Sequence, residues 1–87
     1  MTHLLVRHKI ADFAKWKVVF DAHRSNRNQA GIQEKLVLRG VDDPNLVVLL
    51  FTVADLAKAK TFVSSPDLRE TMTKSGVLGQ PEVLFLS

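Results

Sequence analysis

The chain has 87 residues, of which 46% are hydrophobic and 24% are charged, and 12 Lys and Arg against 9 Asp and Glu give a formal charge of +3. These values are typical of one soluble globular domain, residues 1–87, and exclude a disordered chain. The longest apolar run, residues 46–51, is far shorter than the roughly 18 residues that a membrane span needs, and the absence of cysteine excludes disulfides.

The first predicted elements are a strand and a long helix. The alternation of residues 3–10 is typical of a strand. Asp12 is a suitable N-cap for a helix that runs to about Gln29, and Gly31 follows where such a helix would end. One apolar stripe of this helix is predicted to face a sheet, and its residues are Phe13, Trp16 and Phe20.

The middle of the chain predicts an antiparallel hairpin. Residues 32–40 form the second predicted strand and residues 46–53 the third. The turn between them is predicted at residues 42–45, because the sequence Asp-Asp-Pro-Asn is rich in turn formers. Both faces of the third strand are apolar, which predicts that neither face is in contact with water.

The last third predicts two short helices and a final strand. Asp55 can cap the first helix, and Ser65-Pro66 can begin the second, which ends at Gly76. Residues 76–81 are expected to connect this helix to a strand over residues 82–86. The order βαββαβ predicts an α+β, ferredoxin-like fold in which helices cover one face of a four-stranded antiparallel sheet.

The second apolar face of the third strand has nothing to cover it in this arrangement. A second copy of the chain is the simplest cover, which predicts a homodimer with two sheets packed face to face. The alternative is a twisted strand whose free face is simply apolar. The dimer is preferred because an exposed aliphatic sheet face promotes aggregation.

Several segments resemble small bacterial proteins of the dimeric α/β-barrel superfamily, and the resemblance covers essentially the whole chain. The matching segments are residues 8–17 and 20–23, Arg27, and residues 42–45, 65–68, 72 and 76–77. The sequence is most similar to proteins grouped with the antibiotic biosynthesis monooxygenases and small cyclases. This resemblance implies a dimeric α/β barrel of ferredoxin-like subunits, each with a ligand cavity between its sheet and its helices.

The resemblance leaves the reaction open, because this superfamily includes oxygenases, cyclases, isomerases and binding proteins. Its haem-degrading members rely on an Asn, Trp and His pattern that the sequence around Trp16 does not match. A cofactor-free monooxygenase or cyclase needs only a shielded pocket that binds an apolar or aromatic substrate and stabilises its anion. The alternative is a non-catalytic module that binds a small ligand or a partner.

His8 is the candidate catalytic residue. It lies on the apolar face of the first strand, where an imidazole can act as a general base or bind a ligand by a hydrogen bond. Alternatively, the backbone or Asp12 satisfies a buried structural histidine. The candidate ligand-binding residues are Trp16, Phe20, His23, Arg27 and Met72.

The stripe of the first helix changes from aromatic to cationic along its length. Core packing is the preferred interpretation of Trp16 and Phe20, although aromatic walls also line small-molecule pockets. His23 and Arg27 continue the stripe, as they would beside a pocket with a polar mouth. Alternatively, these cations are simply favoured by the dipole at the helix end.

Metal ions, bound cofactors, nucleic acids and membranes are not expected as partners. The histidines at positions 3, 8 and 23 lack metal-ligand spacing, and Asp42-Asp43 is interpreted as part of a turn. Sheets that bind RNA present stacking aromatics on their central strands, whereas here only Phe51 is available. The sequence shows no export signal, so a cytoplasmic location is expected.

Overall fold

Four strands and four helices make up residues 2–87, the part of the chain that the computed structural model describes. The predicted domain boundary at residue 1 lies outside the described residues. The strands are β1 (Thr2–Ile10), β2 (Ile32–Arg39), β3 (Leu46–Val53) and β4 (Val77–Leu86). The helices are α1 (Phe13–Ala22), α2 (Arg24–Gln29), α3 (Leu56–Val63) and α4 (Pro66–Ser75).

The strands form one antiparallel sheet in the order β2-β3-β1-β4. β1 pairs with both β3 and β4, and β2 pairs with β3. Alternate residues of β1 and β3 are buried, which shows that the helices cover one face of the sheet. The predicted α+β, ferredoxin-like fold is confirmed.

The first helical segment differs from the prediction, because it is two helices rather than one. Asp12 caps α1 as expected, and its carboxylate accepts hydrogen bonds from the backbone N–H groups of Ala14 and Lys15. The helix is then interrupted at His23, which is the C-cap of α1 and the N-cap of α2. The carbonyl of Phe20, in the last turn of α1, accepts a hydrogen bond of 2.8 Å from Nη1 of Arg27. The buried Arg27 side chain thus donates a hydrogen bond to a backbone carbonyl at the end of α1.

The last strand also differs from the prediction, because it begins at Val77 and includes the segment that was expected to be a connection. The pairing of β1 with β4 shifts between Arg7 and Lys9, so His8 lies opposite an irregularity in β4. Pro81 lies in this part of β4, and β4 is an edge strand. Proline is tolerated at such a position because the sheet requires no donor from it there.

The buried core lies between the sheet and the helices. In β3, Val47, Leu49, Phe51 and Val53 are buried, whereas the alternate residues are only partly covered. Within a single chain, one face of β3 is therefore buried as predicted, whereas the other face is only partly covered. The four helices of the described residues are all too short or too polar to cross a membrane.

The opposite face of the sheet is aliphatic and open to solvent in the single chain. Leu36 of β2 pairs with Leu50 of β3, and Leu84 of β4 pairs with Leu5 of β1. Exposed fractions of 45% for Leu36, 52% for Leu38, 44% for Leu84 and 43% for Leu86 are high for leucine. We call this surface the open sheet face, and its apolar residues are Leu5, Leu36, Leu38, Leu46, Val48, Leu50, Leu84 and Leu86.

Candidate functional site

A cavity of about 100 Å³ lies between the sheet and the helices. This volume is of the same order as the cavity of roughly 150 Å³ that holds a benzene molecule in an engineered protein core, so a ligand of about one ring fits it. The structure brings all of the candidate site residues together around this cavity, and they are His8, Trp16, Phe20, His23, Arg27 and Met72.

Stacked aromatic rings form one wall of the cavity. Trp16 and Phe20 lie one turn apart on α1, with ring centroids 4.7 Å apart and nearly parallel planes. Phe13 lies 5.6 Å from Trp16, and Phe51 of β3 lies 6.3 Å from Phe20. Trp16 is 2% exposed and Phe20 is 8% exposed, so both rings belong to the core and to the cavity wall.

His8 presents a buried imidazole to the cavity. Its side chain packs against Trp16, with ring centroids 5.8 Å apart, and neither ring nitrogen has a hydrogen-bond partner among residues 2–87. The alternative in which Asp12 satisfies this histidine is wrong, because the Asp12 carboxylate caps α1 instead. Burial lowers the pKa of His8 to about 4, so the imidazole is neutral at pH 7. A neutral imidazole has one nitrogen that donates a hydrogen bond and one that accepts a proton.

Arg27 brings a buried cation to the same cavity. Its guanidinium carbon lies 3.9 Å from the centroid of the Phe20 ring, and its Nη1 donates to the Phe20 carbonyl. Its Nη2 is buried and has no partner within the described residues. Because Arg27 is only 6% exposed, it forms part of the wall rather than an exposed mouth. Burial lowers the pKa of Arg27.

His23 adds a third polar group beside Arg27. Its ring lies 5.6 Å from the ring of Phe62, and its Nδ1 is buried without a partner in the described part of the chain. Burial and then the neighbouring Arg27 cation lower the pKa of His23, while Asp67 opposes this shift. The imidazole is therefore neutral at pH 7 and keeps its capacity to donate one hydrogen bond.

Part of the cavity lining comes from α4 and β4, where the sequence analysis selected only Met72. Met72 was a candidate, but Leu68, Thr71 and Ser75 of α4 also line the cavity. Pro81 and Val83 of β4 line it as well, and Pro81 belongs to the part of β4 that was predicted to be a connection. The only signal that could have found them is the spacing of Leu68 and Met72 on one helix face.

Asp43 of the hairpin turn has a structural role. The Asp43 carboxylate accepts a hydrogen bond of 3.1 Å from the Asn45 backbone and pairs with Lys9 at 3.1 Å. Lys9 and the Asn45 amide lower the pKa of this carboxyl group. Within residues 2–87, no group of three or more His, Asp or Glu side chains is placed to hold a metal ion.

Solved structures with a similar fold cover nearly the whole chain. A protein assigned as an antibiotic biosynthesis monooxygenase, from Bordetella bronchiseptica, superposes with a TM-score of 0.79 at 14% identity, over 99% of this chain and 94% of that one. A variant of SnoaB, a cofactor-independent oxygenase from Streptomyces nogalater, superposes with a TM-score of 0.73 at 16% identity, over 99% and 90%.

A third structure, from Deinococcus radiodurans and also assigned as an antibiotic biosynthesis monooxygenase, has a TM-score of 0.68 at 12% identity, over 100% of this chain and 91% of that one. No family model matches the sequence, and neither does any of the curated proteins. Identities this low establish the fold alone. The resemblance seen in the sequence is confirmed at that level, and the chain has the ferredoxin-like fold of the antibiotic biosynthesis monooxygenase-like proteins.

Proposed function

We propose that the protein is a cytoplasmic homodimer in which each chain, a single domain of residues 1–87, binds a small apolar or aromatic molecule in its cavity. One observation carries the proposal. The buried side-chain nitrogens without a partner among the described residues all belong to cavity-lining side chains, and they are Nδ1 and Nε2 of His8, Nδ1 of His23 and Nη2 of Arg27. Native proteins leave few such groups unpaired, so their concentration around one apolar cavity favours a ligand that pairs with them.

A cofactor-free oxygenase is the more specific form of this proposal. The likeness to SnoaB, which is described as a cofactor-independent oxygenase, supports it. The buried neutral imidazole of His8 supports it too, since such a base can accept a proton from an acidic C–H or phenolic O–H group. The resulting anion reduces dioxygen. When a ring CH₂ group becomes C=O, one oxygen atom enters the product and the other leaves as water with both hydrogens.

The proposed base is tested with small phenols, by measuring oxygen uptake together with the incorporation of isotopically labelled oxygen into the product. We expect His8→Gln to lower the rate at least about 100-fold, the usual contribution of a general base. Arg69→Gln is the control, because Arg69 is an exposed residue of α4 outside both the cavity lining and the open sheet face. Native mass spectrometry of the purified protein identifies any molecule that it retains.

The outcomes separate the two forms of the proposal. Retention of an unchanged ligand without oxygen uptake supports the non-catalytic binding module and contradicts the oxygenase. Equal uptake by the parent and by His8→Gln contradicts the role of His8 as the base. Failure of every small aromatic molecule to bind contradicts the binding function itself.

The dimer is proposed to form through the open sheet face. Taking one leucine out of water contributes roughly 1.5–3 kcal/mol, and this surface offers several. We therefore expect light scattering of the parent to give about twice the chain mass of 9.7 kDa. Leu50→Lys, at the centre of the open sheet face, should shift the protein to the monomer mass.

Val18→Lys is the matched control for the dimer. Val18 lies on α1 and is 70% exposed, so a lysine there should leave the mass of the parent unchanged. A soluble, folded parent with the mass of one chain would contradict packing through the sheet faces.

A further inference from the structure

We infer that the ligand of this cavity is an anion, a ring-sized organic acid whose deprotonated oxygen pairs with Nη2 of Arg27 while its ring lies against the aromatic wall. The inference rests on the proposed function and adds the charge and chemical class of the ligand. It follows from a buried guanidinium that has no acidic partner within residues 2–87.

The acids nearest to Arg27 are already engaged by other cations. The Asp21 carboxylate lies 2.6 Å from Nζ of Lys17 and 3.3 Å from Nη2 of Arg24. The Glu34 carboxylate lies 3.3 Å from the same nitrogen of Arg24. These ion pairs of Arg24 are partly exposed, whereas Arg27 is buried and forms no salt bridge with either acid, although both carboxylates act on its charge at longer range. No carboxylate within residues 2–87 bonds directly to Arg27, so its buried Nη2 is left to pair with a group inside the cavity.

The cavity itself offers no negative charge. None of the side chains that line it, within the part of the chain that the structure describes, is acidic. The two cavity-facing histidines are neutral at pH 7, because burial lowers both of their pKa values. The lining therefore consists of apolar side chains, neutral hydrogen-bonding groups and one cation.

The guanidinium is held in place before any ligand arrives. Nη1 donates to the Phe20 carbonyl at 2.8 Å, and the planar group stacks on the Phe20 ring at 3.9 Å. Both contacts fix the direction of Nη2, so little freedom is lost when an oxygen binds to it. His23, whose pKa is influenced by the Arg27 charge, also lines the cavity and brings a buried Nδ1 without a partner among residues 2–87.

The size and the walls of the cavity determine the size and the shape of the ligand body that carries the anionic oxygen. A volume of about 100 Å³, smaller than the roughly 150 Å³ of the cavity that holds benzene, limits the ligand to about one ring. The stacked rings of Trp16 and Phe20 favour a flat, aromatic body. An aromatic carboxylate and a phenolate share this chemistry, with one anionic oxygen on a single ring.

Benzoate and its neutral isostere benzamide test the inference, with phenylacetate and phenylacetamide as a second pair. Binding is followed by the fluorescence of Trp16, which is the single tryptophan of the chain and lies in the cavity wall. We expect the parent to bind benzoate at least about tenfold more tightly than benzamide, because a hydrogen bond to a charged group is stronger than a neutral one. Binding of p-nitrophenol, measured at one pH above its pKa and one pH below it, extends the test to phenolates, because only the deprotonated form carries the anionic oxygen.

Variants of Arg27 assign the preference to this side chain. Arg27→Gln should reduce the ratio of the two affinities to within about twofold, whereas Arg27→Lys should keep a preference for benzoate. Arg69→Gln is the matched control, because Arg69 is an exposed arginine of α4 outside the cavity lining and should keep the parent ratio. If Arg27→Gln does not fold, the ratios of benzoate affinity to benzamide affinity in the parent and in Arg27→Lys still test the inference.

The failures of the two proposals look different. Equal affinity for benzoate and benzamide in the parent overturns the anion inference and leaves the small-molecule site standing. The same holds if Arg27→Gln folds and keeps the full preference for benzoate. If the parent binds neither member of either pair at millimolar concentration, both the inference and the proposed binding function are overturned.

Discussion

Replacing Phe20 with alanine is expected to lower the free energy of unfolding by about 3–5 kcal/mol, the usual cost of deleting a buried aromatic side chain. Phe20 is 8% exposed, and its ring contacts Trp16, Phe51 and the Arg27 guanidinium. The substitution removes all three contacts and deprives a buried cation of the ring that faces it.

Denaturant unfolding followed by circular dichroism and by Trp16 fluorescence measures this loss. Val18→Ala is the matched control on the same helix, because Val18 is 70% exposed. Its change in stability should stay within about 0.5 kcal/mol. If Phe20→Ala were as mild as this control, Phe20 would be a wall of the cavity with no part in the stability of the core.

Acidification is expected to destabilise the protein by about 3 kcal/mol between pH 6.5 and pH 4 through His8 alone. Burial lowers the pKa of His8 from 6.5 in the unfolded chain to about 4 in the folded one. Between these values the unfolded chain binds a proton that the folded chain does not, so stability falls as the pH falls. Well above pH 6.5 both states are neutral at this position, and the contribution of His8 is constant.

A comparison of the parent with His8→Gln isolates this effect, because the remaining titratable groups are common to both proteins. The difference in their unfolding free energies should shift steadily by the expected amount from pH 6.5 to pH 4. Val18→Ala is the control, because valine does not titrate, and its difference from the parent should not change with pH across this range. A difference between the parent and His8→Gln that does not change with pH would show that His8 is solvated in the folded protein.

The local features of the fold could be predicted from short stretches of sequence. β3 has the predicted bounds, residues 46–53, because a run of aliphatic residues after a turn is a strong local signal. Asp12 and Asp55 cap their helices, and Ser65 caps α4 before Pro66, because capping depends on residues only a few positions apart. The apolar stripe of α1 likewise follows from its spacing.

The sequence predicted side chains that line one cavity, but not which of their polar atoms lack partners or how burial shifts their pKa values. The helical and strand periodicities placed His8, Trp16 and Phe20 on faces that had to meet in any ferredoxin-like packing. They did not show that both nitrogens of His8 lack partners, since this depends on what every neighbouring element offers. They left Arg27 open between a polar pocket mouth and a cation favoured by the helix dipole, and they did not predict that it is buried.

The sequence by itself determined the element order, the caps, the apolar faces and therefore the fold class, because each depends on residues close together along the chain. Only the tertiary structure decided the break at His23, the early start of β4 opposite His8 and the burial of Arg27. The last two depend on contacts between segments distant in sequence, such as Arg27 with Phe51 or β4 with β1. Burial, and with it pKa and unpaired charge, belongs to the packed molecule, because it is set by all the surrounding atoms at once.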